Sequence, residues 1–402
     1  MSQQKIFKQI EKFSQIVFQF CGFNSIPISD GKYLTEVYLR IWTFFVFVCV
    51  ISATVIAIKY DDVVFSDSFV GKANDMLKFV TVYFSFAVCI AESFLNNKKL
   101  KKFYSKFKKF VKEIEISDRK LLSFSLKFRK NYSIIFAVMF IISIAMEIFM
   151  ISCIGFSKQW QYFWILNLIP ILACRMRNLQ YFYVLSIIKL QIRVIRDELR
   201  NIVEFTKWNL NLSSRDVHEI LIKLQNIKCA YGRSFESTNI VNEFFSQSLA
   251  ANIVHEYVQS ACDYYWSYII FSEVWREEAH SAIILSATIP LVFLLFSLYH
   301  AEKVKFEASQ IAPLLHSIRK RKCDVKLYRM IHQFSLQITQ EEISFHASSI
   351  FTVNLSLFIS VINALLSYLV IFIQFSSIPD DRRDKYNKGE YSLSIKNPFF
   401  DF

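Results

Sequence analysis

The longest uncharged stretches set the first limit on what this chain can fold into. Residues 41–58 and 281–299 hold no Asp, Glu, Lys or Arg, and residues 343–379 run for 37 positions without one. A helix crosses a hydrocarbon layer of about 30 Å with roughly 20 mostly apolar residues, so the first two runs each fit one crossing. In water they would leave a large apolar surface bare, and the chain has little with which to cover it. It is 53% hydrophobic and 17% aromatic with 42 Phe, at a mean hydropathy of +0.31. That is more apolar than a soluble chain of ordinary composition. The predicted fold class is an all-α integral membrane protein.

Four further spans are interrupted by few charges. Residues 79–95 hold only Glu92, residues 133–157 only Glu147, and residues 159–190 carry Arg175, Arg177 and Lys189 toward their far end. Residues 244–272 include His255, Glu256 and Asp263, yet are too rich in Phe, Tyr, Trp and Ile for a loop. As one helix, the last uncharged segment would be about 55 Å long at 1.5 Å per residue, which overshoots the membrane. It is expected to break near residues 345–349 and to cross over residues 354–375. This makes seven spans. Residues 1–272 carry spans one to five with helical extensions, 273–342 span six and anchor helices, 343–375 the last span, and 376–402 a tail. Residues 1–24 are amphipathic, with Lys5, Lys8, Glu11 and Lys12, unlike a cleavable signal peptide.

The net charge of +13 works as a topology signal, because cytoplasmic connections retain Lys and Arg. Residues 96–131 hold 13 basic against 3 acidic side chains, residues 189–243 hold 9 basic ones and residues 300–342 hold 8. The alternate connections, 59–75, 156–159 and 272–280, hold 2, 1 and 1. The N-terminus is therefore expected inside and the tail outside. Apolar residues at three- and four-residue spacing over 192–224 and 308–338 predict helices projecting below the membrane. The basic run 98–112, interleaved with Phe103, Phe107 and Phe110, reads as a membrane-surface helix touching lipid phosphates, with nucleic acid excluded by topology.

Signatures of chemistry are missing. The chain has no GxGxxG, GxxxxGK[ST], HExxH or GxSxG, and its 8 cysteines and 7 histidines are scattered singly. No catalytic residue, metal or cofactor is expected, and the cysteines should be free thiols. Two polar stripes on membrane helices remain. On the last helix Ser349, Thr352, Ser356, Ser360, Asn363, Ser367 and Gln374 share one face; such a stripe either glues a helix to its neighbours or lines a watery path. In span five Asn252, Glu256, Gln259 and Asp263 share a face, and ionisable groups at that depth must pair or meet water. With Tyr83, Glu147, Trp160, Trp164, Asn167, Tyr264 and Tyr265 they are candidates for an outward-facing ligand pocket. The opposing reading makes Arg175 and Arg177 internal partners of Glu92 or Glu256.

The end of the chain carries a resemblance. Ser367-Tyr368, five apolar residues, then Gln374-Phe375 resembles the signature of the insect gustatory receptor family, whose last helix reads Thr-Tyr, five apolar residues, Gln-Phe. Ser for Thr keeps the hydroxyl. Phe334-Ser-Leu-Gln337 is similar to that family's Phe-x-Leu-Gln stretch, and the length and seven-span inverted layout agree. The resemblance implies a ligand-gated, non-selective cation channel in the plasma membrane of sensory neurons. It implies a homo-tetramer, or a hetero-tetramer with related receptors, opened by a small tastant, with Ser367, Ile371, Gln374 and Phe375 at the pore. An odorant receptor-type subunit is the nearest alternative. A seven-helix G-protein-coupled receptor, which needs the N-terminus outside, is more distant.

Overall fold

A computed structural model of the chain describes residues 12–23, 33–59, 69–113, 118–154, 158–208, 213–273, 277–319 and 325–376. The expected tail 376–402 lies outside the described residues beyond its first position. The helices are α1 (Tyr33–Lys59), α2 (Phe69–Leu95), α3 (Asn97–Glu113), α4 (Asp118–Ile154), α5 (Lys158–Trp208) and α6 (Ser214–Glu273). They continue with α7 (Glu277–Ser309), α8 (Ile311–His316), α9 (Val325–Gln340) and α10 (Leu355–Ser376), and a short hairpin of β1 (His346–Ala347) and β2 (Phe351–Thr352) precedes α10. Each of the seven expected spans lies on one of α1, α2, α4, α5, α6, α7 and α10. Among the described residues, Gly71–Leu95, Leu126–Ser152 and Ile283–His316 are long and apolar enough to cross a membrane on their own composition, and Leu355–Ile371 is a shorter apolar helix.

The spans do not stop where the apolar sequence stops. With its 60 residues, α6 is about 90 Å long at 1.5 Å per residue, roughly three bilayer hydrocarbon thicknesses. One third of it suffices to cross. The rest, with the lower part of α5 and with α9, forms a helical body at the end where the basic connections gather, called the basic end below. Pro170 in α5 and Pro290 in α7 lie inside otherwise continuous helices. There they delete one backbone donor each without ending the helix.

The hub is α6, which packs on α2, α3, α5, α7, α9, α10 and β1. Two of these contacts follow directly from sequence pattern. On α9, Leu327, Ile331 and Phe334 are buried at i, i+4 and i+7, one helical face. Phe334 meets Tyr231 edge-on at 5.8 Å, and the Tyr231 hydroxyl donates to the Glu341 carbonyl at 2.9 Å. On α3, Leu100, Phe103 and Phe110 are buried, and Lys99 and Lys106 pair with Glu243 and Glu236 of α6. The aromatic face that reads as membrane-seeking is thus spent on another helix. Burying three large apolar side chains contributes about 1.5–3 kcal/mol each, while exposed ion pairs add little. The α3 lysines that remain exposed, such as Lys102 and Lys108, are a solvated rim.

Close approach fixes one glycine. A Cβ on Gly232 of α6 would stand 2.8 Å from the Gln337 Nε2, the amide that donates to Glu341 at 2.7 Å. The uncharged segment breaks where the sequence suggested, and α10 begins at Leu355. In its first turn the Leu357 N–H donates to the Asn354 side chain at 3.0 Å, the usual use of Asn at a helix start. Ser348 and Ser349, at φ 53° and 55°, form the hairpin turn, so Ser349 and Thr352 are not on the last helix at all. The cysteines whose side chains are described, 21, 49, 89, 174, 229 and 262, are free.

Candidate functional site

Inside the α2, α5 and α6 bundle the polar side chains lie in layers. The layer nearest the basic end is Arg177 with Glu92, 3.0 Å apart and almost fully buried. The guanidinium also donates to Ser248 and Ser93, each at 3.0 Å, and to Gln180 at 2.7 Å. It lies 4.8 and 4.4 Å from the rings of Phe244 and Phe245. Glu92 accepts in addition the backbone N–H groups of Gln247 and Ser248 at 2.8 and 3.1 Å, donors that a regular helix directs to carbonyls four residues back. The pair is enclosed and hydrogen-bonded throughout. That is the condition under which a buried ion pair is tolerated, and it is the internal-partner arrangement for Arg177.

The middle layer holds Glu147 and Glu256. Glu147 pairs with Arg175 at 2.7 Å, and Glu256 accepts from Asn178, whose own carbonyl receives the Asn252 amide at 3.1 Å. Arg175 therefore serves Glu147 rather than Glu256. Arg175 and Asn178 lie 11 and 14 residues beyond Trp164 on α5, a rise of about 16 and 21 Å. The structure thus sets Glu147 and Glu256 apart from the aromatic cluster with which they were grouped on sequence.

The layer farthest from the basic end brings other candidates together. Lys78 of α2 pairs with Asp263 of α6 at 2.5 Å, both buried, and its ammonium stands 4.6 Å above the Trp164 ring of α5. The second Asp263 oxygen accepts from Ser286 of α7 at 2.8 Å. Tyr83 stacks on Phe79 at 4.2 Å and donates to the Leu166 carbonyl at 2.8 Å. Trp266 donates to Asp75 at 3.0 Å. Asn167, one turn along from Trp164, is buried. Gln259 is one turn from Asp263 on the same face, whereas Tyr264 is half-buried and turned about 100° away; the Trp160 side chain lies outside the described residues. Two buried donors here have no hydrogen bond among the described residues, Trp164 Nε1 and Gln259 Nε2. Lys78 was missed because it sits just ahead of the apolar run; a lysine at the mouth of one span facing an aspartate in another was the available signal.

The second site is the free face of α10. Val361 and Leu365 are buried against the bundle, while Ser356, Ser360, Asn363, Ser367, Ile371 and Gln374 are exposed. At 100° per residue the five polar ones fall within about 60°, nearly opposite Val361 and Leu365. The Ser360 and Ser367 hydroxyls donate to the carbonyls of Ser356 and Asn363 at 3.1 and 2.9 Å. No such bond serves the Asn363 or Gln374 side chain among the described residues. The Phe375 side chain lies outside the described residues.

Comparison with known proteins agrees with this architecture. The family model described as 7tm chemosensory receptor matches residues 12–378. The putative gustatory receptor 2a of Drosophila melanogaster is 22% identical over 251 residues, covering 54% of this chain and 58% of that protein. The chain thus spans a little over half the length of this curated relative. Among solved structures, the insect olfactory receptor OR5 from Machilis hrabei in complex with eugenol superposes at a TM-score of 0.65 and 13% identity, covering 92% of this chain and 98% of that one. A second structure of the insect olfactory receptor OR5 from Machilis hrabei superposes at a TM-score of 0.62 and 12% identity, covering 92% of this chain and 99% of that one. These two likenesses are of fold. With 367 consecutive residues of its 402 inside the family match, the chain belongs to the seven-transmembrane chemosensory receptor family.

Proposed function

We propose that this protein is a gustatory receptor of inverted topology, with the basic end in the cytoplasm, that works as a ligand-gated, non-selective cation channel. It opens when a small tastant binds from outside, in the plasma membrane of a sensory neuron. The observation that carries the reading is the polar face of α10, turned away from its own bundle. In hydrocarbon the Asn363 and Gln374 amides would be left without partners, at a cost of several kcal/mol each. A second, third and fourth copy, of this chain or of a related receptor, would close those faces around a water-filled axis. Gln374 would then form an uncharged ring beside the rings of Ile371 and Phe375, with Ser367 two turns nearer the cytoplasm. A narrow apolar ring blocks ions by excluding water, and an amide ring without net charge discriminates weakly among cations.

The ligand site of this reading is the outer layer around Trp164, Tyr83, Gln259 and Asp263. Its aromatic faces suit stacking, and its two unused N–H donors suit a ligand with acceptor oxygens. The decisive measurement is the reversal potential under bi-ionic conditions. Gln374→Glu should raise divalent over monovalent permeability, and an unshifted reversal potential in a well-expressed channel would place the pore on another helix. Orientation has its own check: a tag before residue 1 should be unreachable by antibody on intact cells, and a tag after Phe402 reachable.

A further inference from the structure

We infer that a cavity at the basic end, between α4, α5 and α7, holds the multiply phosphorylated headgroup of an anionic phospholipid of the cytoplasmic leaflet. The assignment of the leaflet rests on the orientation proposed above. The cavity measures about 550 Å³ and is walled by α4 from Lys127 to Ile135, by α5 from Phe182 to Asp197, and by His300 and Lys303 of α7. That volume lies in the range of about 300–1,000 Å³ typical of small-ligand sites. All three walls lie where a span passes from apolar sequence into its charged extension, which is the depth of lipid headgroups.

Its charge is unbalanced. Lys127, Lys189, Arg193, Arg196 and Lys303 line it, with Asp197 as the one lining carboxylate. Behind the wall, a single buried carboxylate, Glu307, serves three of these cations: Arg193 in a two-pronged contact at 2.8 and 2.9 Å, Lys189 at 3.7 Å and Arg196 at 3.9 Å. Five cations thus face two carboxylates, leaving three positive charges. A site with partly buried, under-neutralised cations gains from a polyvalent anion, and basic pockets between spans on the cytoplasmic side are where phosphorylated lipid headgroups bind.

A free sugar phosphate has the same charge chemistry; what favours a lipid is the apolar track at the mouth. Ile134 lines the cavity and is 48% exposed, and Val138 and Ile141 continue from it along α4, 49% and 64% exposed. That i, i+4, i+7 ridge gives an acyl chain a continuous path away from the headgroup.

The test uses the purified full-length chain in neutral detergent, where neither orientation nor channel activity enters, so a failed channel experiment leaves it intact. Native mass spectrometry and a fluorescence binding assay are run with dioctanoyl phosphatidylinositol bisphosphate, dioctanoyl phosphatidylserine and soluble inositol trisphosphate. The bisphosphate lipid should bind at least about tenfold tighter than either of the others, and Lys127→Gln with Lys303→Gln should weaken it by roughly tenfold to thirtyfold. Both side chains reach solvent, so folding is not at stake, and the paired change Lys102→Gln with Lys108→Gln on the α3 rim removes equal charge and should leave binding as it was. Absence of binding, an inositol trisphosphate affinity equal to that of the lipid, or undiminished binding in the Lys127/Lys303 protein would each overturn the assignment.

Discussion

Two buried ion pairs hold the same bundle together, and they differ in how completely their surroundings answer them. Around Arg177 and Glu92 the guanidinium reaches two serines, a glutamine and two phenylalanine faces, and the carboxylate takes two backbone N–H groups. Around Lys78 and Asp263 the pair itself is tight, but Trp164 Nε1 and Gln259 Nε2 nearby are buried without a partner among the described residues. A buried donor left unmade costs about 1–3 kcal/mol, so the saturated layer is architecture, whereas the unsaturated one is where the proposed function seats its ligand. The comparison separates structural from recognising charge in a membrane bundle, where the mere presence of ionisable residues does not.

The largest effect should follow from breaking the saturated layer. Arg177→Ala leaves Glu92 charged, enclosed and facing only two N–H donors, a loss of about 3–5 kcal/mol. Fluorescence-detected size-exclusion chromatography after a temperature ramp should show aggregation well below the parent midpoint. Arg177→Met combined with Glu92→Leu should recover most of the loss, since an apolar pair of similar volume suits the site. Arg177→Ala protein that melts with the parent would remove the distinction between the layers.

Breaking the unsaturated layer should instead spare stability and move ligand response. Trp164→Phe removes the indole N–H and weakens the face beneath the Lys78 ammonium while still filling most of the space, changes worth about 1–2 kcal/mol when desolvated. Agonist potency in a calcium-influx assay should fall about tenfold with surface expression maintained. Gln259→Ala removes one donor and should cost about two- to tenfold. Unchanged potency for both would leave the layer a structural one with two poorly served donors.

How much of this was legible in sequence depends on whether a feature is local. A helix at each expected span and the break before Leu355 follow from charge-free length and local side-chain chemistry, and the structure has both. The partner of each charge is not local. Lys78 and Asp263 are 185 positions apart; a lysine at the mouth of one span and an aspartate in another mark a candidate pair, but neither helix records which other helix it meets. The same limit misassigned the α3 aromatics to lipid: Phe103 and Phe110 mark an apolar face, but periodicity does not say whether acyl chains or α6 cover it. It also let Ser349 and Thr352 be projected onto a helix wheel although they lie in the turn and the second strand of a hairpin, and it grouped Glu147 and Glu256 with Trp164 at a depth where the structure has Asp263 and Lys78.

The smallest expected effect lies on α10, and it sharpens the same distinction at atomic scale. Ser360 and Ser367 already donate to their own helix at 3.1 and 2.9 Å, so in lipid or in a pore each hydroxyl keeps its partner. Asn363 sits between them on the same face, and its amide has two donors and an acceptor that no neighbour among the described residues takes up. If the face lines water, Ser360→Ala and Ser367→Ala should change single-channel conductance by less than about twofold, because each removes a group already turned inward. Asn363→Leu should lower conductance more than the two serine changes combined, since it replaces the amide that must hydrate the path by a group that repels water. If instead the face only packs on another helix, Asn363→Leu should leave conductance alone and shift the melting temperature of the assembled protein. Recording conductance and melting on the same preparations separates the two outcomes.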